Sequence, residues 1–114
     1  MVYRDLRAAD VATDLSLIFD FLFAAAQDFG DAPDAAFARA AARINDIEDA
    51  MEGLGAVPHQ GTLRPELGAG IRSVTKGRAI LYFDLDEAAE TLRVLAVFYG
   101  GQDHVARMLV RLLA

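Results

Sequence analysis

The sequence contains no cysteine, and only three of its 114 residues are proline. Without cysteine there is no disulfide framework, no thiolate nucleophile and no cysteine-based zinc or iron-sulfur site. With 54% hydrophobic and 25% charged residues, the composition excludes a disordered chain, and the length suits one domain with its own core. We therefore expect a single domain over residues 1–114 that packing alone holds together.

Long apolar runs are also lacking from the sequence. The longest mostly apolar run, residues 15–26, has 12 residues and includes Asp20, so it is too short and too polar to span a membrane. Residues 1–5 lack the pattern of a signal peptide. Since the absence of cysteine fits a reducing compartment, we expect a cytoplasmic protein without a membrane partner.

Basic residues are scarce, with 11 Lys and Arg against 17 Asp and Glu and a net charge of −6. This balance argues against a surface committed to nucleic-acid phosphates. Residues 1–56 carry a net charge of −7, whereas residues 57–78 have four basic residues and one acidic residue, a local charge of +3. We expect the acidic region and the basic region to have different functions. The alternative is that their charged residues are ordinary solvated side chains without a specific function.

Apolar residues spaced three and four apart predict a helix over residues 10–28, with Asp10 as its N-cap. The predicted apolar stripe consists of Val11, Leu15, Ile18, Leu22, Ala25 and Phe29. Pro33 suits the first turn of a second, alanine-rich helix that runs to about residue 54. The short connection predicts an antiparallel helical hairpin. Four large residues lie off the stripe and need cover from a helix or a partner: Leu17, Phe19, Phe21 and Phe23.

The remaining segments change to a strand pattern. Residues 2–4 predict a short first strand, and residues 56–70 predict an ordered loop. Three consecutive antiparallel strands are predicted at residues 71–75, 78–84 and 91–99. A tight turn at Lys76-Gly77 joins the first two of these strands. Asp103 is a good cap for a final amphipathic helix with Arg107 and Arg111 one turn apart. That helix either closes the open face of the sheet or presents a docking surface. The order β-α-α-β-β-β-α predicts an α+β domain with an N-terminal helical hairpin on a small antiparallel sheet.

Several local patterns follow one another as they do in a known family. They are Asp14-Leu15 with Ile18, Arg43-Ile44 with Ile47, the loop from Pro58 to Gly61, Gly70-Ile71-Arg72-Ser73, Tyr82-Phe83, Arg93-Val94-Leu95 and residues 98–103. On these residues the chain resembles, over nearly its whole length, the RelE/ParE superfamily of toxins from type II toxin-antitoxin modules, which include plasmid-stabilisation systems. The resemblance implies a toxin that arrests growth and is neutralised by a cognate antitoxin. RelE-like members cut mRNA in the ribosome, whereas ParE-like members inhibit DNA gyrase.

RNA cleavage by such a fold requires a base, an acid and a cation that stabilises the charge developing on the phosphate. For a ribonuclease the expected groups are Arg72, Lys76 and His104: Arg72 matches the strand arginine of the family, and His104 lies where some ribonuclease members carry a catalytic histidine. Tyr82 and Tyr99 could orient or stack a base. The structural alternatives are a bridge from Arg72 to a carboxylate, a plain helix N-terminal position for His104, and packing of Tyr82 within the sheet.

No catalytic residue is favoured, because the acidic charge and the amphipathic C-terminal helix depart from the ribosome-dependent members. We expect binding to gyrase; the alternatives are an endoribonuclease acting on the ribosome and mRNA, or a homologue without toxicity that serves as a binding module. The residues expected to bind the target or antitoxin are Arg64, Arg72, Lys76, Arg78, Tyr99, Gln102, His104, Arg107 and Arg111. No cofactor or metal is expected, since no cluster of histidines and carboxylates occurs. The surplus apolar positions of the first helix are compatible with a homodimer.

Overall fold

The structure, a computed structural model, describes residues 2–100 and 103–113. Its elements in chain order are β1 (Arg4–Arg7), α1 (Asp10–Asp28), α2 (Pro33–Gly53), a 3-10 turn (Leu54–Ala56), β2 (Thr62–Leu63), β3 (Arg72–Lys76), β4 (Ala79–Asp86), β5 (Thr91–Tyr99) and α3 (His104–Leu113). The predicted α+β class is confirmed, with the helical hairpin α1–α2 packed on one face of the sheet.

The sheet has five strands in the order β1-β5-β4-β3-β2. Strands β3, β4 and β5 are successive antiparallel neighbours, as predicted. A two-residue turn joins β3 to β4, and its first residue, Gly77, has a φ of 61°, a backbone conformation that glycine adopts without steric cost. The sheet is mixed rather than purely antiparallel, because β1 pairs in parallel with β5.

Two strands differ from the sequence prediction. The first strand is not at residues 2–4 but at Arg4–Arg7. Three of its four residues are charged, so it lacks the alternation of apolar and polar residues by which strands are predicted. It is an edge strand, and charged side chains are common on edges because one side of the strand faces solvent. Strand β2 lies within the predicted loop 56–70 and pairs with β3 over two residues, which is too short a segment to produce an alternating pattern.

The hairpin follows the prediction closely, since α1 has the predicted bounds and α2 begins at Pro33. The predicted N-cap of α1 is wrong. Asp10 is the first helical residue, and Ala9 occupies the N-cap position. The predicted stripe also ends early, because Phe29 lies beyond the last helical turn and is 91% exposed. Phe37 of α2 is exposed as well, although its ring meets Phe19 edge-on, with centroids 5.2 Å apart.

The sheet separates two cores. The face toward α1 and α2, here the hairpin face, includes Val11, Leu15, Ile18, Ile47, Met51, Leu81, Phe83, Leu92, Val94 and Val97. The opposite face, here the α3 face, includes Leu67, Ile71, Ile80, Tyr82, Ala96, Phe98 and Met108. Strands β4 and β5 contribute to both cores, because their successive side chains point to opposite faces of a sheet that is covered on both sides.

Helix α3 covers part of the α3 face. The Asp103 carboxylate accepts a hydrogen bond from the backbone N–H of Ala106 at 3.2 Å, as its predicted capping role requires. Met108 is fully buried against the sheet, whereas Val110 and Leu113 are 70% and 86% exposed. The helix therefore closes part of the sheet and still presents apolar side chains outward. In the part of the chain that the structure describes, no helix combines the length and apolar character needed to cross a membrane.

Candidate functional site

A row of polar side chains crosses the α3 face. Ser73 of β3 and Tyr82 of β4 lie directly opposite each other, and both are buried. The Nε of Arg64 donates a hydrogen bond to the Ser73 hydroxyl at 2.9 Å, and the Tyr82 hydroxyl lies 2.5 Å from Nδ1 of His104. Two neighbouring strands, a preceding loop and the start of α3 thus bring a guanidinium, two hydroxyls and an imidazole to one face.

The chemistry of this row depends on Tyr82. Burial raises the pKa of its phenol; the nearby Arg64 charge opposes the shift, while Glu66 and Asp103 reinforce it. A phenol that stays protonated can donate its hydrogen to Nδ1 of His104, and the imidazole then carries its own hydrogen on Nε2. Because Tyr82 is fully buried, its ring packs in the sheet and is inaccessible for stacking on a base.

Arg111 is engaged inside the protein. Its two terminal nitrogens donate to the two carboxylate oxygens of Asp14, which is only 5% exposed, and one of these contacts measures 2.7 Å. Asp14 also accepts the backbone N–H of Val97 at 3.0 Å. The hydrogen bond to Asp14 raises the pKa of Arg111, and the guanidinium also lies over the ring of Phe98. This predicted binding residue therefore joins α3 to α1 and β5.

Beside this ion pair, a groove of about 310 Å³ separates α1 from α3. Its α1 wall includes Leu17 and Phe21, which are 62% and 59% exposed, so the predicted need for cover is unmet for these two side chains. Phe98 and Tyr99 of β5 line the groove between the two helices, and Arg107 lines it from α3. Among residues 2–100 and 103–113, no carboxylate forms an ion pair with Arg107. The groove therefore combines exposed apolar area with one uncompensated positive charge.

The remaining predicted cations lie on the hairpin side of the sheet. Arg72 is opposite Phe83 and Lys76 is opposite Ala79, and both partners belong to the hairpin-face core. Arg72 donates to the backbone carbonyl of His59 at 2.9 Å rather than to a carboxylate, and Lys76 donates to a side-chain amide oxygen at 2.8 Å. Arg78 lies over the Tyr99 ring, 5.8 Å from its centroid.

Sequence reasoning missed a cluster around Glu87. One carboxylate oxygen accepts the hydroxyl of Tyr3, and the other lies 3.0 Å from Nε2 of His59. The bond to Glu87 raises the pKa of Tyr3 to about 12, and the bonds from Tyr3 and His59 lower the pKa of Glu87. Tyr3 and Glu87 are 84 positions apart, so no local sequence signal connects them.

The structure does not bring the three expected ribonuclease groups together. Arg72 and Lys76 extend from the hairpin side of the sheet, whereas His104 meets Tyr82 on the α3 face. Gln102, also expected to bind a partner, lies outside the described residues. Across the described ranges there is no group of three or more histidines and carboxylates that could hold a metal ion. Of the residues predicted to bind a partner, His104 thus lies in the polar row on the α3 face, and Arg107 lines the groove beside α3.

Comparison with known proteins identifies the fold. No family model matches the sequence, and a search of curated proteins gives no match. A chain of the chromosomal ParDE TA system from P. aeruginosa has a TM-score of 0.64 at 20% identity, with 88% of this chain and 98% of that chain covered. A chain of the toxin-antitoxin complex RelBE2 from Mycobacterium tuberculosis has a TM-score of 0.51 at 19% identity, covering 87% and 99%. The chain therefore has a RelE/ParE-like fold.

Proposed function

We propose that this chain is the toxin of a type II toxin-antitoxin module, that it arrests growth by binding and inhibiting DNA gyrase, and that a cognate antitoxin neutralises it. The observation that carries the toxin assignment is the similarity to a chain of the ParDE system over nearly the full length of both chains. Fold alone does not fix function, so the choice of target depends on the surface of this chain.

Three observations support a binding toxin rather than an RNA-cleaving one. Arg72 and Lys76 are on the opposite side of the sheet from His104, so they cannot act on one phosphate as cation and acid. A gyrase inhibitor needs only a binding surface, and the groove beside α3 offers exposed apolar side chains next to Arg107. The net charge of −6 also weakens attraction to ribosomal phosphates.

An endoribonuclease is the second candidate, and the polar row on the α3 face favours it. His104, with Nδ1 held by Tyr82, is placed as a candidate general acid or base, and Arg64 supplies a cation on the same face. In that case Arg64 rather than Arg72 or Lys76 stabilises the phosphate. A homologue that has lost its toxicity and retains only antitoxin binding is the third candidate, and the net charge of −6 supports it.

The test is pulse-labelling of DNA and protein synthesis within minutes of inducing this chain alone from a tightly repressed promoter. We expect DNA synthesis to fall first and the purified chain to inhibit supercoiling by gyrase. Arg107→Gln should weaken both effects, whereas Arg39→Gln, on an exposed arginine of α2, should leave both unchanged.

Other outcomes select the other candidates. If protein synthesis fails first, and His104→Ala and Arg64→Gln restore growth while Lys76→Ala does not, the ribonuclease replaces the gyrase inhibitor. If a soluble chain affects neither synthesis, the toxin assignment is wrong and the binding module remains. Arg72→Ala should lower toxicity only if the hairpin side of β3 contacts the target.

A further inference from the structure

A second pocket, distinct from the groove and from the polar row, lies between α2 and the turn that joins β3 to β4. It encloses about 230 Å³. Its α2 wall is formed by Arg43, Asp46, Ile47 and Ala50, and its sheet wall by Lys76, Gly77, Arg78, Ala79 and Tyr99. Lys76, Arg78 and Tyr99 are among the residues predicted to bind a partner, whereas Arg43 is not. We refer to this site as the α2–turn pocket.

The α2–turn pocket is positively charged in an acidic protein. Three cations, Arg43, Lys76 and Arg78, meet a single carboxylate, Asp46, so the pocket carries a net charge of +2 where the chain as a whole carries −6. Within residues 2–100 and 103–113 none of the three cations forms an ion pair. All three cations are exposed to solvent, and like charges held side by side attract an anion from outside more strongly than one cation does.

We propose that the α2–turn pocket binds the phosphomonoester group of a small ligand such as a nucleotide. A phosphomonoester carries a charge of about −1.5 to −2 at pH 7 and three strong acceptor oxygens, which match the net charge and the three cationic donors of the pocket. Arginine suits such a group because its planar fork can donate two parallel hydrogen bonds to one phosphate. Arg78 is already held against Tyr99, which reduces the entropy lost on binding.

Size and surroundings favour a small ligand over a polymer. The volume is below the roughly 300–1,000 Å³ usual for sites that enclose a drug-sized molecule, so the pocket encloses an anionic head group and leaves the rest of the ligand outside. The surrounding hairpin is strongly acidic, because residues 1–56 carry eleven carboxylates and four arginines. A long polyanion would be repelled by these carboxylates, whereas a single phosphate in contact with the three cations of the pocket is attracted by them.

The experiment is calorimetric titration of the purified full chain with AMP and with adenosine, a matched pair that differs only in the phosphate. We expect AMP to bind and adenosine not to bind. Arg43→Gln and Lys76→Gln should each weaken AMP binding about tenfold, since each removes one charge-assisted hydrogen bond. Arg39→Gln is the control, because Arg39 lies one turn earlier on α2, pairs with Asp31 and does not line the pocket.

Two further probes separate the sources of the anion. Inorganic phosphate that binds as tightly as AMP supports the proposal and identifies free phosphate as sufficient, whereas weaker binding of phosphate supports a nucleotide. A hexaglutamate peptide that binds more tightly than AMP would overturn the proposal in favour of an acidic peptide. Equal binding of AMP and adenosine, or Arg43→Gln and Lys76→Gln proteins that bind AMP as the control does, would also overturn it. These measurements use no growth assay, so they are independent of the proposed toxin activity.

Discussion

Replacing Arg111 by methionine tests the contact between Asp14 and Arg111 that fixes α3. The substitution keeps most of the side-chain volume. Among the residues that the structure describes, it leaves the buried Asp14 carboxylate with a single hydrogen-bond donor, the backbone N–H of Val97. Removing one partner of a buried ion pair costs about 3–5 kcal/mol. Arg111 is 25% exposed, and α3 can move aside and admit water to Asp14, so we expect a loss of about 2–3 kcal/mol in the free energy of unfolding.

The assay is urea unfolding followed by far-ultraviolet circular dichroism, combined with amide hydrogen exchange in α3. Arg111→Met should lower the midpoint and speed exchange throughout α3. Arg107→Met, one turn earlier on the same helix and without an ion pair among the described residues, should stay within about 0.5 kcal/mol of the parent. Adding Asp14→Leu to Arg111→Met should recover most of the loss, because no buried charge then remains unpaired.

Two results would refute this reasoning. One is an Arg111→Met protein whose stability and α3 exchange equal those of the parent, which would mean that the ion pair with Asp14 does not hold the helix. The other is a double variant whose loss equals the sum of the two single losses, which would mean that the two side chains act independently.

Three other perturbations have expected outcomes. Tyr82→Phe keeps the buried ring and removes only the hydroxyl that contacts α3, so the free energy of unfolding in urea should fall by about 1 kcal/mol. A loss above about 3 kcal/mol would contradict this, because it would mean that the hydroxyl supports more hydrogen bonds than the one to His104. The pKa of Tyr3 is raised to about 12, so the stability supplied by its bond to Glu87 is complete below pH 10 and is lost as the pH rises toward 12. Tyr3→Phe should remove that part of the alkaline decline, and an unchanged profile would contradict the contact. Gly55→Ala adds a methyl group that overlaps the Tyr3 carbonyl oxygen; it should lower thermal stability by about 1–3 kcal/mol, and a neutral effect would show that β1 can shift freely.

Most of the fold could be predicted from local patterns. The two helices of the hairpin repeat apolar residues every three or four positions, and β3 to β5 are rich in β-branched and aromatic residues with a glycine turn between the first two. Strands β1 and β2 could not be predicted in the same way. Both are edge strands that pair with the sheet through backbone hydrogen bonds. Every residue except proline has the same backbone donor and acceptor, so this pairing leaves no signal in the sequence.

The sites were less predictable than the fold. His104, Arg107 and Arg111 were predicted as binding residues from the sequence, but the sequence could not tell which cation stays available to a partner. Arg111 is neutralised by Asp14, 97 positions earlier, whereas Arg107, four residues before it, lines the open groove. The grouping of Arg72 and Lys76 with His104 failed because alternate strand positions face opposite sides of the sheet.

By itself, then, the sequence determined the type and order of the main elements, because helix and strand patterns arise from neighbours within a few residues of each other. Only the tertiary structure decided the contacts between residues far apart in the chain, such as Tyr3 with Glu87 and Asp14 with Arg111. It also decided that Arg43 joins Lys76 and Arg78 in one pocket. The physical reason is that a side chain finds its partner through the packing of whole elements, and that packing depends on every element at once.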